Sequence, residues 1–178
     1  AQNYLRHDWQ GTVKRTGGYH LEEWEKAAKE MAKVRLLTLS LLPSAAKNIV
    51  EIGANDGALA RAYKGVNSQC TYVSIAFGTE SINFENGARD EVMCLDVNAL
   101  ASDFFRSRTN VDCWVLDQVL ERMPNPAQLL ASIRKVIKPD CSVVAVIPNA
   151  QHWSIQAKLC IGDFRYVGAG LLHKGHLR

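Results

Sequence analysis

A short apolar run that contains an acid is followed by a turn with two glycines and an amide. Residues of these types in this order could hold a nucleotide-like ligand. Glu51 lies near the end of the run, and Gly53 and Gly57 allow the backbone to bend and to approach a ligand because they carry no Cβ. A helix beginning after this turn would point its free N–H groups at the same place. We therefore predict a ligand-binding turn that also contains Ala54 and Asn55, since Asn tolerates left-handed backbone well.

Two histidines near the C-terminal end could transfer protons. His152 follows the last apolar run and His176 is two residues from the final Arg178. Imidazole suits general acid–base chemistry near neutral pH, and a surface or structural role is the alternative for both. His173 and His176 are three residues apart but lack a further ligand, so we predict no metal site.

Polar side chains follow two further apolar runs. Asp96 and Val97 come after one run, and Asp117 and Gln118 end another. Ligands of doubly wound folds bind at the carboxyl ends of parallel strands, so these residues are candidates for ligand contacts. Their alternative roles are an exposed acid and a polar helix cap.

The elements that would position these residues are short strands and helices in alternation. This pattern is typical of βαβ units and predicts an α/β fold with a mostly parallel sheet flanked by helices. The runs that are apolar on both faces fit strands covered on each side. The predicted strands span residues 49–52, 71–75, 91–95, 113–116 and 142–147, and the predicted helices span residues 59–63, 80–86 and 126–137.

The N-terminal part has a different character. Residues 1–20 are polar and aromatic with a Gly17-Gly18 break, which predicts an arm. Apolar residues at three- and four-residue steps predict a helix over residues 21–42, stopped by Pro43. We expect a single domain over residues 21–178.

Composition narrows the class of protein. The 178 residues are 47% hydrophobic, enough for one core, and the net charge of +3 comes from scattered side chains, which gives no indication of nucleic-acid binding. No apolar run approaches the roughly 18 residues needed to cross a bilayer. The five cysteines form no CxxC pair and fit reduced thiols. We expect a cytoplasmic protein without a membrane partner.

Four blocks together resemble the class I S-adenosylmethionine-dependent methyltransferases over residues 47–178. The blocks are Glu51-Ile52-Gly53-Ala54-Asn55-Asp56-Gly57, Asp96, Val115-Leu116-Asp117-Gln118-Val119-Leu120-Glu121-Arg122-Met123-Pro124-Asn125-Pro126, and Ile137-Lys138-Pro139-Asp140-Cys141 with Ile147-Pro148-Asn149. The resemblance implies a Rossmann-like fold and S-adenosylmethionine as cofactor. It also implies cofactor contacts by Glu51, Gly53, Ala54, Asn55, Gly57, Ala76, Phe77, Asp96, Val97, Asp117 and Gln118.

The sequence departs from the family pattern at two cofactor positions and in the fourth-strand block. Ala76 stands where the family has the acid that binds the ribose, Asn55 replaces a glycine, and Arg122 replaces a histidine. A carboxylate that accepts two hydroxyl hydrogen bonds is worth about 1.5–3 kcal/mol, so its loss alone would weaken binding about tenfold to a hundredfold.

The tail is similar to a bacterial subgroup that accompanies surface-polysaccharide and glycosyl-transfer enzymes. Residues 149–178 carry this similarity, and His176 falls where the subgroup keeps a histidine. The similarity implies methyl transfer to a hydroxyl of a small molecule or sugar, with His176 as a general base and His152 lining the acceptor pocket.

Other functions remain open from the sequence. A methyltransferase-like binding or scaffold domain without activity would also fit the departures at Ala76, Asn55 and Arg122. A nicotinamide-dependent oxidoreductase is disfavoured because the turn lacks G-x-G-x-x-G. No pair of strands is predicted after the fifth, and the resulting open edge predicts a possible homodimer.

Overall fold

Five strands form one all-parallel sheet in the computed structural model, which describes residues 29, 32–53, 56–77, 89–96, 102–167 and 171–177. The sheet order is β3-β2-β1-β4-β5. All five predicted strands are confirmed, with bounds that differ by at most two residues. The strands are β1 Asn48–Ile52, β2 Thr71–Phe77, β3 Glu91–Leu95, β4 Cys113–Asp117 and β5 Ser142–Val146.

Helices connect the strands, as the α/β prediction requires. Those predicted at residues 59–63 and 126–137 are confirmed as α2 and α4, and the one predicted at residues 80–86 lies outside the described residues. The sequence did not predict α3, α5 or a 3₁₀ turn at Leu120–Arg122. The helical segments are α1 at residues 32–41, α2 Ala58–Val66, α3 Ser102–Arg106, α4 Pro126–Val136 and α5 Trp153–Cys160.

The contacts divide the chain into two units, Ala1–Leu37 and Thr38–Arg178. In the first unit, residues 29 and 32–37 are described, and all of them are helical. The arm predicted at residues 1–20 lies outside the described residues, and the predicted domain limits stay a prediction. The second unit contains the whole sheet.

The order of the strands reverses beside β1. From β1 the chain moves outward to β2 and β3 and then crosses back to β4 on the other side of β1. Loops leaving β1 and β4 therefore turn to opposite faces, which opens a crevice at the carboxyl ends of these strands.

The central strands β1, β2 and β4 are buried on both faces, which explains their continuous apolar runs. One face packs Ile49 and Tyr72 against Tyr63 of α2. The other packs Trp114 against Phe105 of α3 and the apolar side of α4. This rigid two-sided core fixes the strand ends that carry the polar residues.

The start of α4 follows its sequence signals. The Asn125 side chain accepts a hydrogen bond from the Gln128 N–H at 3.3 Å, and Pro126 occupies the first helical position. Asn and Pro are residue types preferred at these two positions, and they fix the start of the helix after the 3₁₀ turn.

The β5 edge of the sheet carries exposed apolar side chains. Val143 in β5 is 42% exposed and Ile147 just after it is 56% exposed. In the described part of the chain, no helix is long and apolar enough to cross a membrane.

Candidate functional site

The turn after β1 requires glycine at its first bend. Gly53 has φ +94°, and a Cβ there would overlap the main-chain carbonyl oxygen of Asp117 at the end of β4. Its N–H donates to the Ile75 carbonyl of β2 at 2.9 Å. Gly53 therefore lies between the ends of three strands, at the place where the strand order reverses.

The same turn leads directly into α2. Gly57 has φ +71°, and a Cβ there would meet the flexible guanidinium of Arg89. The Asp56 carboxylate accepts from the Ala58 N–H at 3.0 Å and so satisfies one donor at the start of the helix. The predicted contacts by Ala54 and Asn55 lie outside the described residues.

Glu51 is a buried carboxyl beneath this turn. Its residue is 2% exposed, and the Ser74 hydroxyl donates to Oε2 at 3.3 Å. Burial first, and then the nearby Asp117, raise the pKa of Glu51 to about 7, against smaller opposing effects of Tyr72, Ser74 and Arg89. Glu51 therefore exchanges its proton near neutral pH and responds to any charge placed beside it.

A neighbouring hydroxyl stays protonated. Burial and the nearby Glu51 carboxyl raise the pKa of Tyr72 well above its ordinary value. Tyr72 and Ser74 are two residues apart in β2, so their side chains lie on the same face of the sheet as Glu51. The face above the carboxyl thus offers only neutral polar groups from β2.

Ala76 continues this face toward the carboxyl end of β2. It is fully buried and pairs with Cys94 of β3. Because side chains alternate along a strand, Ala76 lies on the same face as Ser74. The next residue, Phe77, ends the strand. A side chain at position 76 would point toward the crevice above Glu51.

Three of the remaining predicted residues lie at the same edge of the sheet. Asp96 is exposed directly after β3, and Val97 lies outside the described residues. Asp117 ends β4 beside Gly53. Gln118 has φ +51° although it is not glycine, and its N–H donates to the Val146 carbonyl at 3.1 Å. Such strained backbone costs about 1–3 kcal/mol and clusters at ligand sites.

His176 reaches this edge through the C-terminal segment. The Leu177 N–H donates to the main-chain carbonyl of Glu121 at 2.7 Å, which fixes the segment to the 3₁₀ turn after β4. The His176 Nε2 lies 3.9 Å from Glu121 Oε1, and the two side chains are 8% and 3% exposed. Sequence reasoning gave Glu121 no role, and its position in the fourth-strand block was the only signal.

The described histidines differ in which ring nitrogen can accept a proton. His152 Nδ1 accepts from the Ser154 N–H at 3.3 Å and caps α5, and His173 Nδ1 accepts from the Gly175 N–H at 2.9 Å. His176 Nδ1 instead faces the Leu171 carbonyl at 3.1 Å, which can only accept. Neutral His176 therefore carries its proton on Nδ1 and its lone pair on Nε2.

The surroundings favour the uncharged form of His173, and the ring of His152 takes part in a helix cap. Burial, followed by Arg122 and His176, lowers the pKa of His173. His152 lies at the start of α5, where its ring serves the helix cap. Of the two histidines predicted to be catalytic, only His176 lies against a buried carboxylate.

A groove lies at the opposite, amino edge of the sheet. Its volume is about 230 Å³, and Asn48, Thr71, Glu91 and Arg108 contribute to its lining. Glu91 and Arg108 form an ion pair there at 3.2 Å. None of the catalytic or cofactor-binding residues predicted from the sequence lines this groove.

A comparison with protein families identifies the kind of domain. A family described as "Methyltransferase domain" matches residues 23–172. A search of curated proteins returns no match.

Solved structures share the fold at low identity. The plantazolicin methyltransferase BpumL, solved with a monoazolic desmethylPZN analog and SAH, has a TM-score of 0.62 at 16% identity, over 78% of this chain and 55% of that chain. An O-methyltransferase family protein from Burkholderia thailandensis has a TM-score of 0.53 at 12% identity, over 79% and 45%. CalO1, a methyltransferase in calicheamicin biosynthesis solved with SAH, has a TM-score of 0.51 at 16% identity, over 78% and 44%.

The chain therefore spans about half the length of the solved structures it matches. Their likeness agrees with the Rossmann-like α/β architecture predicted from the sequence.

Proposed function

The chain belongs to the methyltransferase domain family, and from this premise we propose that it transfers a methyl group from S-adenosylmethionine to a hydroxyl of a small molecule or sugar. Two structural neighbours, BpumL and CalO1, were solved with SAH, the product of that cofactor. One neighbour is described as an O-methyltransferase family protein, which supports a hydroxyl acceptor.

The Gly53 turn above the buried Glu51 is the observation that carries the proposal. The Cβ direction at Gly53 is taken by the Asp117 carbonyl oxygen, so glycine lets the ends of β1 and β4 meet where the strand order reverses. A ligand bound at this reversal would lie against the Gly53 main chain. Glu51 offers a carboxylate whose pKa of about 7 would fall beside a cationic ligand. A sulfonium cofactor with an amino group meets both conditions, and when bound it supplies an electrophilic methyl group.

We assign the contacts as the family resemblance suggests. Glu51 and Gly53 would hold the methionine half, with Ala54, Asn55 and Gly57 completing the turn. The other assigned contacts lie at the ends of β2, β3 and β4, and they are Ala76, Phe77, Asp96, Val97, Asp117 and Gln118.

His176 would accept the proton that the acceptor hydroxyl loses. Its Nε2 carries the lone pair, because the Leu171 carbonyl fixes the proton on Nδ1. His152 would line the acceptor pocket, with its ring held by Ser154. Most of the rate enhancement would come from positioning, since the methyl group, the oxygen and the base must be aligned.

Calorimetry with S-adenosylmethionine, SAH and NAD tests the proposal. We expect both adenosyl-sulfur ligands to bind and NAD to give no heat, because the turn lacks the dinucleotide pattern. Absence of binding at millimolar S-adenosylmethionine would contradict the proposal. A screen of hydroxylated small molecules and sugars with labelled S-adenosylmethionine then identifies the acceptor.

An inactive methyltransferase-like binding domain is the second candidate. Ala76 favours it, because this buried position offers no acceptor for ribose hydroxyls. The loss corresponds to about tenfold to a hundredfold weaker binding. Cofactor binding without methyl transfer to any screened acceptor would support this candidate.

Replacing Ala76 with aspartate should tighten cofactor binding about tenfold or more, because the new carboxylate can accept from the ribose hydroxyls. The same change should lower the stability of the ligand-free protein, since position 76 is fully buried. Calorimetry and thermal unfolding with and without SAH measure the two effects.

The control is Ala60→Asp, at an equally buried position within α2. This variant should lose stability with no gain in affinity, because it lies in the core and not at the crevice. Unchanged or weaker binding in Ala76→Asp would show that the ribose position has been placed wrongly on β2.

A sugar acceptor, a cytoplasmic location and self-association belong to the same proposal. The similarity of the tail to the polysaccharide-associated subgroup supports the sugar. The exposed Val143 and Ile147 along β5 support pairing of two copies through this edge. Sedimentation of the protein at several concentrations measures the association.

A further inference from the structure

Hydrogen-bond acceptors face one another where the C-terminal segment meets the 3₁₀ turn. The lone pair of neutral His176 is on Nε2, which lies 3.9 Å from Glu121 Oε1. Both carboxylate oxygens of Glu121 are buried and have no hydrogen-bond donor among the residues that the structure describes. The His176 Nε2 and the Glu121 carboxylate both accept hydrogen bonds, so a group that donates one would stabilise this arrangement.

A buried carboxylate without donors is costly, so this arrangement needs a functional or structural reason. His173, whose ring lies 5.4 Å from the His176 ring, has its pKa lowered by burial first and then by nearby charges that include Arg122 and Lys174. Neither cation forms a described hydrogen bond with Glu121. A ligand hydroxyl, or the proton on His176, would satisfy the carboxylate.

We propose that Glu121 is the positioning residue for His176, and that the two side chains form the subsite for the hydroxyl of the acceptor. This inference rests on the proposed methyl transfer. The hydroxyl proton moves to His176 Nε2, and the oxygen forms a bond to the methyl carbon. The carbon–sulfur bond breaks with its electron pair left on sulfur, so the positive charge passes from the sulfonium to the imidazolium.

Glu121 stabilises that imidazolium at close range. Its carboxylate faces Nε2, the atom that receives the proton, and both side chains are nearly excluded from water. An opposite charge in such surroundings acts strongly because little solvent screens it. His173 and His152 have no equivalent carboxylate partner among the described contacts.

The role of the Glu121 carboxylate can be tested without disturbing the fold of the C-terminal segment. The segment is held by the main-chain bond from Leu177 to Glu121 and by the bond from His176 N–H to the His173 carbonyl at 3.0 Å. Neither bond uses the Glu121 side chain. Glu121→Gln should therefore keep the segment docked while it replaces a charge with a neutral amide.

Nitrogen-15 NMR of the histidine-labelled full chain measures the pair without any turnover. In the neutral state of its ring, His176 should show a protonated Nδ1 and an unprotonated Nε2, the reverse of His152 and His173. In Glu121→Gln the His176 Nε2 resonance should shift, because the amide N–H can donate to it. The control Glu91→Gln removes an exposed carboxylate at the opposite edge and should leave His176 unchanged.

An unshifted Nε2 in Glu121→Gln, or a proton on Nε2 of the neutral wild-type ring, would overturn the inference. This result is independent of whether the protein binds S-adenosylmethionine. Loss of the proposed function and loss of this inference are therefore separate outcomes.

Kinetics with an acceptor from the screen adds a second measurement. Glu121→Gln should lower kcat about tenfold to a hundredfold with little change in KM or in the Kd of SAH, and Glu121→Asp should recover part of the loss. The double variant Glu121→Gln/His176→Gln should be no slower than His176→Gln alone. Additive losses would overturn the inference, because Glu121 would then act without His176.

Discussion

Gly53→Ala should lower the free energy of unfolding by about 2–5 kcal/mol, a large share of the stability of an ordinary domain. The backbone at Gly53 has φ +94°, which side-chained residues rarely adopt, and the added Cβ would overlap the Asp117 carbonyl oxygen. A main-chain atom in a central strand cannot move away cheaply, so β1 and β4 would have to separate. Urea unfolding followed by circular dichroism measures the loss.

Gly57→Ala is the matched control for this effect. Gly57 also has positive φ, so alanine there should cost about 1–2 kcal/mol from the backbone alone. Its Cβ would meet the guanidinium of Arg89, a flexible side chain that can move aside. Equal losses in the two variants would contradict our view that the ends of β1 and β4 are held in contact by Gly53.

The second large effect is a dependence of stability on pH that comes from Glu51. Its pKa is raised from 4.5 to about 7 in the folded protein, so the folded state retains the proton where the unfolded chain has lost it. Stability from this group is therefore complete below about pH 4.5 and is lost as the pH rises to about 7. The loss amounts to about 3 kcal/mol.

Glu51→Gln should remove this dependence. At pH 8 the variant should be more stable than the wild type by a similar amount, and near pH 4.5 the two should be alike, because glutamine stays neutral throughout. Chemical unfolding at several pH values checks both statements. The exposed Glu91→Gln should leave the profile nearly unchanged, and a wild-type profile without a fall between pH 4.5 and 7 would contradict the burial of a carboxyl at position 51.

Much of the fold could be predicted because the central strands are buried on both faces. Runs such as Cys113–Asp117 have no polar face and are bounded by turn residues, so their type and bounds follow from the sequence. The start of α4 was equally predictable, since Asn125 and Pro126 carry local capping signals.

The helix α5 and the carboxylate of Glu121 could not be predicted in the same way. Ile155 is the buried residue of α5, while Trp153 and Leu159 are exposed, so the helix has no clear apolar face. The contact between Glu121 and His176 depends on the path of an irregular segment, which no periodicity encodes. His176 was identified from a resemblance, whereas its orientation is set by the Leu171 carbonyl.

The glycine turn was predicted for the correct reason, because positive φ at Gly53 and Gly57 is a backbone requirement that only glycine meets easily. The burial of Glu51 was not predicted. Glu51 belongs to β1, which lies between β2 and β4 in the sheet. Its burial therefore follows from the order of the strands and not from the local sequence.

The central claim is that the cofactor binds at the carboxyl ends of the strands. A crystal structure of the protein in complex with SAH tests it most directly. Our account predicts the ligand across the carboxyl ends of β1 and β2, with its methionine part against the main chain of Gly53 and beside Glu51. A ligand bound in the groove at the amino edge, near Asn48 and Arg108, would contradict the account.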